Sequence, residues 1–245
     1  MKAVVLLHGW GMNPGVFGEL HERLSVRFNV QAPALPGYGG SSPCEPYTPE
    51  RLAAELAAAA PEHCFVAGWS MGGQVALAWA RAMPQQVEGV VLLGATPCFV
   101  QREGWSAAIE PSVLREFAAA LDRDHASTLE RFIALQAQGD GGAKSVLRYL
   151  RLCLERGALP STEILHKGLE LLLKTDLRSA LPDVVQDALV VHGEHDALSP
   201  LAAGEYLAHA LPHGRLAVIR GAAHAPFVSD PDQVSRSMLE FFDER

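Results

Sequence analysis

The feature that most constrains this chain is Gly68-Trp69-Ser70-Met71-Gly72, a G-x-S-x-G pentapeptide set between two different hydrophobic patterns. Residues 63–67 before it form a short apolar run, as in a buried strand. After it, from Gly72 to Met83, apolar residues recur with helical spacing until Pro84. A serine at such a strand–turn–helix junction reads as a nucleophile elbow, raised above a sheet edge on strained backbone. The strand and helix pass close beside it, and side chains two residues either side of the serine would collide there, so glycine belongs at 68 and 72. The same five residues also suit a glycine-rich helix start capped by Ser70, and the pentapeptide alone leaves both readings open.

The rest of the chain supplies the context. Residues 3–7 are a continuous apolar, β-branched run, as in a strand covered on both faces of a parallel sheet. A turn-rich loop follows at 8–13, then a helix over about 16–24, a strand over 29–34 and a loop over 35–42. An alanine-rich helix is expected at 49–60, and a further buried strand at 89–93. This β-α alternation predicts an α/β fold with a doubly wound, mostly parallel sheet.

From about 111 to 173 only helical periodicities appear, at 113–121, 127–138, 143–155 and 163–172, separated by breakers at Gly139-Asp140-Gly141-Gly142 and Gly157-Ala158-Leu159-Pro160. The alternation then resumes with strands at 188–192 and 215–219 and helices at 201–211 and 231–242. Two sequential domains would be the simpler alternative. The strands on either side continue one pattern, however, so the chain reads as a core of residues 1–110 and 174–245 with a helical lid of residues 111–173 inserted.

The net charge of −8 argues against general nucleic-acid binding. Cys44, Cys64, Cys98 and Cys153 are widely spaced with no C-x-x-C pair, which suggests free thiols in a reducing compartment rather than disulfides or a zinc site. No metal and no cofactor is expected. The apolar run at 3–7 imitates a signal peptide but is too short for an h-region, and no stretch approaches the roughly 18 apolar residues of a membrane helix. A soluble, cytoplasmic monomer without membrane or nucleic-acid partners is the expectation.

A serine becomes a useful nucleophile when a base takes its proton and a carboxylate holds that base in the right tautomer. Asp196 follows the strand at 188–192, and His224 follows the strand at 215–219, so both sit where catalytic groups gather in open α/β sheets. Glu194, Asp183 and Asp187 are rivals for the acid, but Glu194 lies closer to the strand and the other two precede it. His192 and His195 lie beside the acid, and His209 and His213 belong to a helix and its end, which leaves His224 as the base. An oxyanion hole needs backbone N–H donors aimed at the developing charge. Met71, following the nucleophile, offers one, and Trp10 in His8-Gly9-Trp10-Gly11 offers the other. His8 reads as a loop anchor. Ser70 would attack an ester carbonyl, His224 would act as base and then acid, Asp196 would orient it, and water would release the acyl group.

Together these motifs resemble the α/β-hydrolase superfamily over nearly the whole chain. Within it, residues 6–13, 68–73, 97–99, 130–136, 168–172, 175–178 and 222–227 look like the pimeloyl-acyl-carrier-protein methyl ester esterases of biotin synthesis. The segment 131–136 is the least common of these across the superfamily. The resemblance implies removal of the methyl group from a pimeloyl chain held on acyl-carrier protein, which would be the partner. It implies substrate contacts at Trp10, Ser70, Met71, Phe132, Ile133, Ala134, Leu135, Gln136 and His224. Related hydrolases carry extra residues before the first strand, so the sheet here is expected to be shortened at its N-terminal edge.

Arg131, Lys144, Arg148 and Arg151 fall on the expected lid helices, the last three spaced i, i+4, i+7 along one helix face. Such a stripe could steer an acidic carrier protein and hold its phosphopantetheine phosphate, or be an ordinary solvated face. A broad short-chain esterase, thioesterase or lactonase would use the same serine, acid and base. A non-catalytic ligand receptor on this fold is the third reading.

Overall fold

The computed structural model describes residues 1–244. Six strands form one sheet in the order β2-β1-β3-β4-β5-β6: Ala3–Leu7 (β1), Asn29–Gln31 (β2), Cys64–Trp69 (β3), Val87–Leu93 (β4), Ala188–Gly193 (β5) and Gly214–Ile219 (β6). All five pairings are parallel, so the sheet is wholly rather than mostly parallel. β1, β3 and β5 are buried along their whole length, as expected for strands covered on both faces. The expected strand at 29–34 keeps only its first three residues, because β2 is the sheet edge and its partner β1 pairs it only through Val5.

Between the strands run the helices Gly18–Ser25 (α1), Pro49–Ala59 (α2), Met71–Ala82 (α3), Pro111–Leu121 (α4), His125–Gln136 (α5), Ala143–Arg156 (α6), Thr162–Lys174 (α7), Leu201–Ala210 (α8), Pro226–Ser229 (α9) and Pro231–Asp243 (α10). Their starts carry local signals. Thr48, Asp124, Ser161 and Asp230 accept a bond from the backbone N–H three residues on, capping α2, α5, α7 and α10. Proline occupies the first position of α2, α4, α9 and α10, where its missing N–H removes no helical bond.

The strand order places the site. β1 leads outward to β2, whereas β3 returns to the opposite side of β1, so the winding reverses between β1 and β3. In open α/β sheets the crevice outside that reversal is where ligands bind. The loop after β1 and the turn after β3 flank it, with Leu7 paired to Gly68 at the two strand ends. The helices α4 to α7 all lie between β4 and β5 and add no strand among the described residues.

Candidate active site

Ser70 is the one non-glycine residue among the described ones with positive φ (55°). It sits between β3 and α3, and its backbone is held by a 3.0 Å bond from its N–H to Leu93 O. The flanking glycines are there for close approach. A Cβ on Gly68 would lie 2.1 Å from Gly72 O, and one on Gly72 would lie 2.2 Å from Leu7 O. Backbone cannot yield as a flexible side chain can, so neither position admits alanine.

The Ser70 hydroxyl donates to His224 Nε2 at 2.9 Å, and His224 Nδ1–H donates to Asp196 Oδ2 at 2.8 Å. All three residues are buried. Asp196 Oδ1 accepts from the N–H groups of Leu198 (2.9 Å) and Ser199 (2.8 Å), so the carboxylate serves as acceptor at both oxygens. That fixes the tautomer: Nδ1 carries the proton, and the Nε2 lone pair faces the serine. Such a chain can take the proton from Ser70 and stabilise the imidazolium that results.

The rivals stand elsewhere. Glu194 accepts from Gly221 N–H at 3.0 Å and pairs with His195 on the exposed side. Asp183 pairs with Arg81. His209 and His213 are exposed. His192 is buried, with its Nε2–H donated to Ser199 O at 2.6 Å, and it lies 3.6 Å from Asp196 Oδ2. Burial lowers its pKa, which keeps the ring neutral beside the carboxylate. His8 is buried too, bridging Gly9 O through Nδ1–H (2.9 Å) and accepting from Leu35 N–H at Nε2 (3.1 Å). Desolvation pushes its pKa down to about 4, against the bond to Gly9, as befits a neutral loop anchor.

Among the described residues no acceptor is paired with the backbone N–H of Trp10 or of Met71. Met71 opens α3, where the first N–H groups have no intrahelical partner and the helix dipole favours negative charge. The Trp10 side chain is buried and donates from Nε1 to Leu165 O of α7 at 2.9 Å. Its ring meets Phe132 of α5 edge-on at 4.6 Å, and Phe132 in turn meets Phe117 of α4 at 5.5 Å. Gly168, midway along α7, makes this approach possible: a Cβ there would lie 2.5 Å from Trp10 Cδ1. Trp69, beside the serine, donates from Nε1 to His224 O at 2.8 Å and packs on Phe227.

The run 132–136 does not act as one lining. Phe132, Ile133 and Gln136 are buried, Leu135 is partly buried and Ala134 is exposed. Consecutive helical residues turn by about 100°, so five in a row cannot all face one site. Gln136 reaches the base through its backbone, its carbonyl accepting from His224 N–H at 3.2 Å. The four basic residues are exposed but differ in state. Arg151 is paired with Glu130 at 2.6 Å, and Arg131 lies over the Phe117 ring at 5.4 Å. Lys144 and Arg148 have no ion-pair partner among the described residues, and Arg148 and Arg151 line a groove of about 850 Å³ between α6, α1 and α9.

The alpha/beta hydrolase family matches residues 4–237. The chain belongs to that family. A pimeloyl-[acyl-carrier protein] methyl ester esterase of Xanthomonas oryzae pv. oryzae is 42% identical over 98% of this chain and 94% of its own length. Another of the same name, from Nitrosomonas europaea, is 39% identical over 94% of this chain and 91% of its own. Among solved alpha/beta hydrolase folds, an esterase from Exiguobacterium antarcticum superposes with a TM-score of 0.87 at 22% identity, over 98% of this chain and 91% of that one. That likeness speaks for the fold alone.

Two residues of this site carried no functional reading in the sequence. Asp140 was one more residue of a glycine-rich breaker, yet it is buried and accepts from Ala223 N–H beside His224 at 2.9 Å. Gly168 interrupts an otherwise regular helical pattern, and an isolated glycine inside a helix is itself a signal of close packing.

Proposed function

We propose that this alpha/beta hydrolase is a serine carboxylesterase that hydrolyses the methyl ester of pimeloyl-acyl-carrier protein. The observation that carries the proposal is the buried Ser70–His224–Asp196 chain, in a sequence about two-fifths identical over nearly full length to proteins named for that reaction.

In this reading His224 Nε2 takes the Ser70 proton as Oγ bonds to the ester carbon. The open N–H groups of Trp10 and Met71 receive the oxyanion, each such donor contributing roughly 3–4 kcal/mol to the transition state. The bond to the methoxy oxygen then breaks, and His224 returns the proton to give methanol. Water, deprotonated by His224, attacks the acyl-Ser70 ester and leaves a free pimeloyl carboxylate and the serine. Asp196 keeps Nδ1 protonated throughout.

Residues 111–173 act as a lid on a core of 1–110 and 174–245. Ser70 is buried and the neighbouring Trp10 packs against α5 and α7, so in this reading the lid lifts to admit the acyl chain, which passes Trp10, Phe132, Ile133 and Gln136. Lys144 and Arg148, which have no ion-pair partner among the described residues, are the strongest candidates for contact with the acidic carrier, while Arg131 and Arg151 contribute less. No helix among the described residues is long and apolar enough to cross a membrane. A cytoplasmic monomer meeting its carrier in solution fits the reading.

The test is growth. The wild-type gene is expected to restore biotin-free growth to a strain lacking its own pimeloyl-carrier methyl esterase, and Ser70→Ala is expected not to. Restoration by Ser70→Ala would overturn the assignment.

A further inference from the structure

The short backbone around His224 is held from three sides, and two of the holders come from the inserted helices. From the core, Trp69 Nε1–H binds the carbonyl of His224 (2.8 Å). From the insert, Gln136 O at the end of α5 accepts His224 N–H (3.2 Å), and the Asp140 carboxylate in the α5–α6 turn accepts Ala223 N–H (2.9 Å). Gly141 N–H adds a bond to Gly221 O at 2.8 Å, and Gly139 O receives His195 Nδ1–H at 3.1 Å. The α5–α6 turn is therefore stitched to both the acid loop and the base loop.

Asp140 is the one ionisable side chain in this seam that is buried and faces the base loop. Its Oδ1 accepts from Gly142 N–H (2.7 Å) and so fixes its own turn. Its Oδ2 accepts from Ala223 N–H and from the Ser229 hydroxyl at the end of α9, tying together the residues on either side of the histidine. A buried carboxylate satisfied this way is geometrically demanding, since removing it leaves the buried Ala223 N–H without its acceptor.

Resting on the serine-hydrolase reading above, we propose that Asp140 is a positioning residue that makes the alignment of His224 depend on the seating of the inserted helices. When the helices are seated, the two peptides leading into His224 are clamped, that of Ala223 N–H by Asp140 and that of His224 N–H by Gln136 O, and Nε2 faces Ser70. When they lift, Asp140 and Gln136 leave with them, and the base loses two of its three backbone supports. The enzyme is thus competent when closed over an acyl chain and idle when open to water.

The experiment compares Asp140→Ala, Asp140→Asn and Glu194→Gln in the full chain, using p-nitrophenyl acetate. The far-downfield proton resonance of His224 Nδ1–H is the second readout. Asp140→Ala is expected to lower kcat by about 10–100-fold with KM changed less than threefold, as about 1 Å of misplacement does, and to move or abolish the downfield resonance. Asp140→Asn, whose carbonyl can still accept from Ala223 N–H, is expected to keep kcat within about threefold. Glu194→Gln alters the carboxylate that holds Gly221 from the core side and is expected to leave kcat unchanged. Should Asp140→Ala fail to fold, Asp140→Ser can still cap Gly142 N–H with its hydroxyl while releasing Ala223, and carries the same expectation. A folded Asp140→Ala or Asp140→Ser with kcat within twofold of wild type and an unmoved resonance overturns the proposal. An absence of wild-type turnover would strike the serine-hydrolase reading instead, while the resonance still reports the clamp.

Discussion

The ends of the strands and the inserted helices build this site by different physics. At the strand ends, positions are set by backbone: Ser70 on a positive-φ turn, Asp196 two loop N–H bonds past β5, and His224 just past β6. Little there can shift, because β3 and β5 are buried along their whole length and every strand is paired with its neighbour in a defined register. The helices α4 to α7 meet the site through side chains and helix ends instead: the Phe117–Phe132–Trp10 ring series, the Trp10 Nε1–H bond to Leu165 O, and the Asp140 and Gln136 acceptors. The strand ends thus hold Ser70, Asp196 and His224 on backbone, while α4 to α7 meet them through contacts that can break one at a time.

The sharpest way to break that contrast is to add the same methyl group to each region. Gly68→Ala would put a Cβ 2.1 Å from backbone, and the expected result is little or no folded protein, a loss above about 4 kcal/mol. Recovery of native-like melting in that variant would refute the rigid-frame account. Gly168→Ala meets the Trp10 side chain rather than backbone, so α7 and the ring can shift apart, and the expected loss is about 1–3 kcal/mol with lowered kcat for small esters, read by urea melts and steady-state assays.

Acid should act on the frame first. His8 has a folded-state pKa near 4 against 6.5 unfolded, so between those values the unfolded chain binds more protons. Stability from keeping His8 neutral is therefore complete above pH 6.5 and is lost as pH falls toward 4, by an amount on the order of 3 kcal/mol. His192 adds to the loss in the same direction. Urea midpoints at pH 7 and pH 4.5 check this, and a flat profile would contradict it.

The smallest effect belongs to the outer face of the insert. Replacing both Lys144 and Arg148 with Glu is expected to raise KM for a carrier-linked ester about tenfold, roughly 1.4 kcal/mol, and to leave a small ester unaffected. Arg151→Glu alone is expected to do less, since Glu130 already neutralises it. Equal KM values for both substrates in the double variant would remove the basic face from the account.

The same contrast explains what could be read from the sequence. The positions of Trp10, Ser70, Asp196 and His224 were legible because each follows a strand with an apolar run, and the fold brings those strand ends together by topology. Helix spacing also placed Lys144, Arg148 and Arg151 on one face, but it could not show that Glu130, on a different helix, holds Arg151. Asp140 stayed hidden for a similar reason: a glycine-rich turn announces a break in a helix, not what its one carboxylate touches 83 residues later. The strand at 29–34 was overlong because its β propensity is local, whereas pairing at a sheet edge depends on a neighbour.

The most direct test of the central claim is hydrolysis of purified pimeloyl-acyl-carrier-protein methyl ester, with methanol and the free carboxylate measured for wild type and Ser70→Ala. The account predicts turnover by wild type and, in Ser70→Ala with an unchanged fold, a loss of at least about 10⁴-fold. Comparable rates in the two proteins, or no release of methanol by wild type, would contradict it.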